Sequence, residues 1–239
     1  MKQNGGNENM NKNRIGILLS VFLLAGLVFV PCVSAYQASS YGAIYSGGLD
    51  SRIMAQTAQS ELSSMGYSGS YYWNSAASTA MLRMISDQVF FFSGHGSAGR
   101  IIFYEDGETS ELTADNPDLL RISYLSTSDL DDMALAVYLG CNTANTDWFN
   151  GNGNLLSTST SRGIDTAMGF SQEITAPQTG YWSNRFWYYL DNGYNVIAAA
   201  GAADTDNQVN FGYYEQGGMN SHIIQGNNYL VIDPARAGN

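Results

Sequence analysis

Two unbroken apolar runs dominate the hydrophobic pattern of the chain, and each ends at a glycine. They cover 89–96 (VFFFSGHG) and 134–142 (ALAVYLGCN). Runs without polar alternation are typical of strands that are buried on both faces, as in a parallel sheet covered by helices. Ligands of such sheets bind beyond the carboxyl ends of the strands. The pattern therefore predicts that His95 and Cys141 meet there, as a nucleophile beside its base.

Extended and helical patterns alternate around these two runs. Strands are predicted at 41–46, 67–73, 89–96, 134–142, 165–174 and 221–232, the last as a strand or hairpin. Helices are predicted at 51–65, 75–86, 126–132, 155–162, 181–191 and 196–203. A hairpin is predicted across 99–104 and 109–113, while 117–125, 142–154 and 204–215 are predicted to be irregular. The β-α-β-α-β alternation predicts an α/β fold.

The first 35 residues have the organisation of a secretory signal peptide. Cationic residues precede an apolar run at 15–30, and the small-x-small sequence VSA follows at 33–35. The run has 16 residues, fewer than the roughly 18 that indicate a membrane-spanning helix. We therefore predict an exported protein, secreted or at the cell surface, with one domain at 36–239. An uncleaved anchor and a lipid-modified Cys32 are the alternatives.

The charge of the chain restricts its partners. The sequence has 10 Lys plus Arg, 21 Asp plus Glu and a formal net charge of −11. Removal of 1–35 takes away three cations and one anion, which leaves 204 residues with a net charge of −13 and no lysine. A surface this acidic argues against nucleic acid or an anionic membrane as a partner of the mature form.

The cysteine and histidine content restricts the chemistry. After removal of 1–35, Cys141 is the only thiol, so it has no internal disulfide partner. A lone thiol in an exported protein is open to oxidation, and its retention indicates a purpose. A zinc site needs three or four ligands, and after removal of 1–35 the sequence offers only one Cys and two His, namely Cys141, His95 and His222. No metal or other cofactor is predicted. Calcium stays open, because 204–215 has acids at some calcium-loop positions but Val209 where glycine is needed.

The order and spacing of these motifs resemble the caspase-like fold of the clan CD cysteine peptidases. This group includes caspases, metacaspases, legumains, gingipains, clostripain, separases and CHAT domains. The similar segments are SGHG at 93–96, GC at 140–141 with CNTA from 141, RGIDTAMGF at 162–170, and FWYYL at 186–190. The resemblance spans roughly 41–203 and implies a three-layer αβα sandwich. Its mostly parallel sheet would have about six strands in the order 2-1-3-4-5-6.

The resemblance also implies roles for individual residues. Cys141 would be the nucleophile, and His95 the general base and later the acid, because only a thiolate attacks. The N–H groups of Gly96 and Cys141 would form an oxyanion hole. The implied function is a cysteine endopeptidase acting on proteins or peptides. Considered separately, Cys141 also fits a small buried residue at a strand end and His95 a turn residue, and His222 is the spare base.

Substrate preference is open at this stage. The similar enzymes often bind a basic side chain with acids near the first strand end and near the nucleophile. Asp50, Asp147 and Glu173 occupy suitable places, and they make an arginine-directed peptidase the expectation. Asp50 fits a helix N-cap equally well, and Asp147 and Glu173 also fit solvated loop positions.

Two other functions compete with peptidase activity. One is a secreted binding or surface module that keeps the fold with a vestigial Cys-His pair. The other is a non-proteolytic acyltransferase or amidase, which would use the same thiol chemistry on a different acyl donor. Autocleavage at an arginine is a further possibility of the peptidase hypothesis.

Overall fold

The structure is a computed structural model that describes residues 36–45, 47–214, 217–232 and 234. The predicted signal peptide at 1–35 lies outside these residues and stays a prediction. No helix in the described ranges is both long enough and apolar enough to cross a bilayer.

The elements follow the predicted alternation with several changes of bounds. The strands are β1 (Gln37–Gly42), β2 (Ser68–Trp73), β3 (Val89–Ser93), β4 (His95–Ser97), β5 (Arg100–Glu105), β6 (Glu108–Thr113), β7 (Leu120–Arg121), β8 (Leu135–Leu139), β9 (Thr166–Phe170) and β10 (His222–Gly226). The α-helices are α1 (Arg52–Ser64), α2 (Ala77–Met84), α3 (Thr127–Leu130), α4 (Leu155–Ser161), α5 (Gln178–Asp191) and α6 (Val196–Phe211). Short 3₁₀ turns lie at Ile122–Tyr124 and Met219–Ser221.

The main sheet has the strand order β10-β9-β8-β3-β1-β2. Its neighbours are parallel except for the edge strand β10, which runs antiparallel to β9. Numbered among themselves along the chain, these strands follow the order 2-1-3-4-5-6, which the resemblance implied. The predicted fold class is confirmed.

The two central strands explain the apolar runs. All five residues of β3 and all five of β8 are buried. Along β3, Val89 and Phe91 belong to the core cluster that includes α1, α5 and α6. Phe90 and Phe92 belong to the cluster on the other face, which includes α2 and α4. Because both faces pack against other elements, no position in these strands favours a polar side chain.

A second, smaller sheet has the order β4-β5-β6-β7. The predicted hairpin forms its centre, and Asp106 and Gly107 both have positive φ in the turn. The prediction of one continuous strand through 89–96 is wrong, because β3 ends at Ser93. His95 begins β4, which pairs with β5 in the second sheet. The segment 117–125, expected to be irregular, contains β7 and a 3₁₀ turn.

The first strand lies earlier than predicted. It covers Gln37–Gly42 instead of 41–46, and it includes Ser39 and Ser40, which are both buried. The predicted strand left these two serines out, but their small side chains pack inside the fold. The opposite deviation occurs at Ile85. Helical spacing within 75–86 predicts that Ile85 faces inward with Met81 and Met84, but it is 42% exposed.

Helix α6 continues past the predicted end at 203 to Phe211, so 204–211 is not a loop. Asp204 and Asp206 face α5, where Trp182 Nε1 and Arg185 Nε donate to them. Asn207 is buried in the same helix. Asp204 and Asp206 therefore lie on a helix, not in a loop of the calcium-binding type.

Candidate active site

His95 and Cys141 lie at the same edge of the main sheet. In the parallel pair β3–β8, Ser93 is opposite Leu139, and each of the two residues lies two positions beyond this pair. Both side chains line one cavity of about 190 Å³. His95 is exposed and Cys141 is partly exposed. The thiol and the imidazole therefore reach solvent at one mouth.

Glycine lets the two strand ends touch. A Cβ atom on Gly96 would lie 2.5 Å from Thr143 Cγ2 and 3.1 Å from the Cys141 carbonyl oxygen. A Cβ atom on Gly140 would lie 3.1 Å from both the Gly94 oxygen and the Gly96 nitrogen. A contact of 2.5 Å forces a neighbour to shift, so Gly96 requires glycine for the observed approach. At Gly140 the contacts are tight, and a side chain would require the facing backbone to move by a few tenths of an ångström.

The turn after Cys141 is held by side chains of its own motif. Asn142 adopts a left-handed φ of 57°, which asparagine tolerates better than most residues. Thr143 Oγ1 donates to the Tyr138 carbonyl at 2.8 Å and accepts the Phe170 N–H at 3.0 Å. The Asn142 N–H donates to the Gln172 carbonyl at 3.0 Å. The position of Cys141 is therefore fixed against β9 and the loop that follows it.

Ile174, in the loop between β9 and α5, makes direct contact with the sulfur. Its N–H donates to Cys141 Sγ at 3.4 Å, and the thiol donates to its carbonyl oxygen at 3.7 Å. An N–H directed at sulfur remains a favourable partner when the thiol loses its proton. The sequence analysis did not identify this residue, and the one signal that could have found it is an apolar side chain within the polar stretch QEITAP.

Tyr45 is the other neighbour that the sequence did not single out. It follows β1, its ring packs against His95, and its hydroxyl donates to the Ile102 carbonyl at 2.8 Å. Within the described residues, the imidazole of His95 makes no hydrogen bond. The ring is therefore positioned by packing, and both of its nitrogens remain available.

The three predicted acids do not line the cavity. Asp50 forms an ion pair with Arg52 at 2.8 Å, and hydrogen bonding from this guanidinium lowers the pKa of the carboxyl. The N-cap of α1 is Ser51 and not Asp50. These contacts occupy Asp50 within its own segment.

Asp147 holds the loop that it belongs to. Its carboxylate accepts the backbone N–H groups of Phe149 and Asn150 and the side-chain amides of Asn150 and Asn152. The backbone and side-chain hydrogen bonds of Asn150 are the main causes that lower its pKa. The loop 142–154 forms as predicted, but it is better packed than expected, because Asn152 is buried. Glu173 differs from both acids: it is exposed, and it precedes Ile174 at the cavity.

His222 does not line the cavity. It begins β10, where its Nδ1 lies 3.5 Å from Asp204 Oδ2 and 3.4 Å from the Met219 carbonyl oxygen. These contacts hold the partly buried ring between β10 and α6. The described residues contain no cluster of three or more His, Cys, Asp or Glu side chains suited to a metal ion.

No protein-family model matches the sequence, and no curated protein sequence matches it. Solved structures do match. The crystal structure of the Arg specific cysteine proteinase gingipain R aligns over 82% of this chain and 47% of its own, with a TM-score of 0.59 and 8% identity. A complex of Porphyromonas gingivalis RgpB pro- and mature domains aligns over 82% and 48%, with a TM-score of 0.54 and 9% identity. The Saccharomyces cerevisiae separase-securin complex aligns over 88% and 13%, with a TM-score of 0.51 and 15% identity.

These similarities define the architecture of the chain. It has the caspase-like fold that clan CD cysteine peptidases share, as the motif order indicated. The chain spans about half the length of the gingipain structures that it matches. At identities of 8 to 15%, the likeness establishes the fold, and activity has to be argued from the site itself.

Proposed function

We propose that this chain is an exported cysteine endopeptidase in which Cys141 is the nucleophile and His95 the general base. The observation that carries the proposal is that the thiol and the imidazole lie on neighbouring strand ends around one cavity. A thiol beside an available imidazole is the arrangement that nucleophilic catalysis needs. Export rests on the signal peptide predicted from the sequence.

The first half of the reaction is acyl transfer to sulfur. His95 accepts the Cys141 thiol proton, and the thiolate attacks the carbonyl carbon of the scissile bond. The carbonyl π electrons move to oxygen, which gives a tetrahedral intermediate. His95 then donates its proton to the leaving amine as the carbon–nitrogen bond breaks. This leaves a thioester on Cys141.

In the proposed mechanism, the backbone N–H groups of Cys141 and Gly96 bind the oxyanion. Among the described residues, nothing accepts the Cys141 N–H. β4 and β5 are joined by a two-residue loop, with Ser97 opposite Arg100 and Gly96 opposite Ile101. The two residues that flank such a loop, here Ser97 and Arg100, form a hydrogen-bonded pair. Because hydrogen-bonded and non-hydrogen-bonded pairs alternate in an antiparallel ladder, Gly96 and Ile101 are not hydrogen-bonded to each other. The Gly96 N–H therefore points away from β5. Donors of this kind supply a large share of transition-state stabilisation.

Hydrolysis completes the cycle. His95 accepts a proton from water, and the resulting hydroxide attacks the thioester carbonyl. The second tetrahedral intermediate collapses with release of the thiolate, which takes the proton back from the imidazole. No third catalytic side chain enters these steps.

An arginine-directed form of the proposal depends on Glu173. Asp50 and Asp147 are engaged in their own segments. Within the described residues, the Glu173 carboxylate makes no hydrogen bond or ion pair, and it lies next to Ile174. It is therefore the one of the three acids available to a basic side chain of a substrate.

Alkylation of the purified domain 36–239 tests the assignment. We expect iodoacetamide to modify Cys141 near neutral pH at least about tenfold faster than an ordinary thiol, because the imidazole supplies thiolate. His95→Ala should remove this advantage, whereas the control His222→Ala should retain it. Equal rates in wild type and His95→Ala would refute the proposed dyad. Cleavage of a peptide library by wild type but not by Cys141→Ala would then identify peptidase activity.

A binding module is the second candidate, and one observation favours it. Trp148 and Phe149, in the loop after the nucleophile, are 87% and 96% exposed. Adjacent exposed aromatic side chains are typical of contact surfaces. Ordinary thiol reactivity together with loss of partner binding in Trp148→Ala would favour this module. Fast alkylation without peptide cleavage would favour an acyltransferase or amidase.

A further inference from the structure

The cavity beside Cys141 has a character that the sequence did not predict. Besides the catalytic pair, its main walls are the side chains of Leu49, Met54, Leu139, Ile174 and Ala176. Met54 comes from α1 and Leu139 from the end of β8, while Ile174 and Ala176 come from the loop before α5. The walls are thus apolar on several sides and are supplied by separate elements.

Apart from His95 and Cys141, no ionisable side chain among the described residues lines this cavity. The nearest hydroxyls in its wall already donate within the protein, Ser93 Oγ to Met54 Sδ at 3.4 Å and Thr179 Oγ1 to the Thr175 carbonyl at 3.0 Å. A guanidinium brings five N–H donors and no acceptor. It would lose water here without gaining a carboxylate, which is unfavourable. A substrate carboxylate would fare no better, because the described residues place no arginine or lysine in the wall and His95 is engaged with Cys141 in the proposed reaction.

The position of the cavity determines which substrate side chain it receives. The carbonyl carbon that bonds to Cys141 Sγ is attached to the Cα of the residue before the scissile bond. The side chain on that Cα is therefore the one closest to the sulfur and the imidazole. Because these two groups form part of the cavity wall, this side chain is placed to enter it.

We propose that this cavity selects an uncharged, apolar side chain of leucine or methionine size before the scissile bond. The proposal rests on the proposed peptidase function and narrows it. A cavity of about 190 Å³ accommodates such a side chain, and apolar contacts on several sides favour it over a charged one of similar length. Met54 adds adaptability, because a thioether side chain can change rotamer around different occupants.

Covalent labelling of Cys141 tests the selection without requiring turnover. Peptidyl acyloxymethyl ketones are added to the domain, each with leucine, methionine, arginine or aspartate as the residue that takes the place before the scissile bond. The adduct on Cys141 is measured by mass spectrometry. We expect the leucine and methionine probes to react at least about tenfold faster than the arginine and aspartate probes. Ala176→Asp introduces a carboxylate at an exposed position of the wall, and it should shift the preference toward the arginine probe.

The outcomes separate this inference from the peptidase proposal. If the arginine probe reacts as fast as the leucine probe, and Glu173→Gln removes that reaction, the selection inference is overturned and Glu173 is the specificity residue. If iodoacetamide shows His95-dependent alkylation but the leucine and methionine probes do not label Cys141, the inference is also overturned while the dyad stands. Loss of His95-dependent alkylation itself would overturn both.

Discussion

The ring of Tyr45 packs edge-on against the imidazole of His95, with ring centroids 4.6 Å apart and an interplanar angle of 70°. The Tyr45 hydroxyl donates to the carbonyl of Ile102, which is the cross-strand partner of His95. Burial raises the pKa of Tyr45 well above its usual range, although the His95 backbone N–H that it accepts lowers it. The phenol therefore stays protonated and keeps its hydrogen bond while it holds the imidazole in place.

Replacement of Tyr45 should change how well His95 acts as a base. Tyr45→Leu removes the ring, and we expect Cys141 alkylation near neutral pH to slow by about tenfold, part of the contribution of a positioned base. Tyr45→Phe keeps the ring and should retain most of the rate. The measurement is the alkylation rate as a function of pH. At alkaline pH, where the thiol ionises without help, the variants should converge with wild type, which a damaged fold would not do. Equal losses in Leu and Phe variants would contradict a positioning role for the ring.

Gly96 is expected to tolerate no side chain. In Gly96→Ala the new Cβ would meet Thr143 Cγ2 at 2.5 Å, so β4 must move away from the turn that carries Cys141. We expect the free energy of unfolding to fall by about 1–3 kcal/mol and His95-dependent alkylation to be lost. Chemical denaturation and the alkylation assay measure the two effects.

Gly201→Ala is the matched control for Gly96→Ala. Gly201 lies inside α6 and is exposed, and nothing approaches its Cβ position within 4 Å. Alanine should raise the free energy of unfolding by about 0.5–1 kcal/mol, because glycine loses more backbone entropy in a helix. If both alanine variants had the same stability as wild type, the close approach at Gly96 would not be required.

His222 should make the stability depend on pH. Burial disfavours the charged ring, but hydrogen bonding and charge from Asp204, with the Met219 carbonyl, outweigh it and raise the pKa of His222. Because the pKa of His222 is raised in the folded state, the contribution of this residue to the free energy of unfolding is fully present below the unfolded pKa of about 6.5. It is lost as the pH rises through the folded value. Wild type should therefore gain stability on acidification between about pH 8 and 6.

Asp204→Asn should reduce this gain. The amide keeps an acceptor for Trp182 Nε1 but removes the charge that favours the protonated ring. Denaturant unfolding of wild type and variant at about pH 6 and 8 measures the difference. Asp118→Asn, at an exposed position, serves as the control and should leave the pH difference unchanged. An unaltered pH difference in Asp204→Asn would refute the linkage.

Asp87 is expected to cost stability at neutral pH. It is 2% exposed, and burial raises its pKa, against smaller opposing effects of the Ser39 and Ser86 hydroxyls and the Arg83 charge. Because the pKa of Asp87 is raised in the folded state, its favourable contribution to the free energy of unfolding exists below the unfolded pKa of about 3.9 and is lost at higher pH. Asp87→Asn keeps the shape without the charge, so it should raise the free energy of unfolding at pH 7 by roughly 0.5–2 kcal/mol. Thermal unfolding at neutral and acidic pH checks this, and a less stable variant at pH 7 would contradict it.

The sequence by itself determined the central architecture. The runs at 89–96 and 134–142 are apolar throughout because β3 and β8 pack against other elements on both faces, and this requirement is visible without coordinates. Local signals also determined the turn at Asp106-Gly107 and the capping box formed by Ser126 and Asp129. Such features depend on neighbours within a few residues, so their physical causes are contained in short stretches of chain.

Only the tertiary structure decided which polar groups face the core and what surrounds the thiol. Ser39 and Ser40 are buried in the first strand because other elements pack on both faces of the sheet, and 204–211 is helical where Asp204 and Asp206 meet partners on α5. Likewise, the cavity beside Cys141 is apolar because α1, β8 and the loop before α5 converge there. Burial and pairing of a polar side chain depend on residues far away in the chain, and local patterns carry no record of those partners.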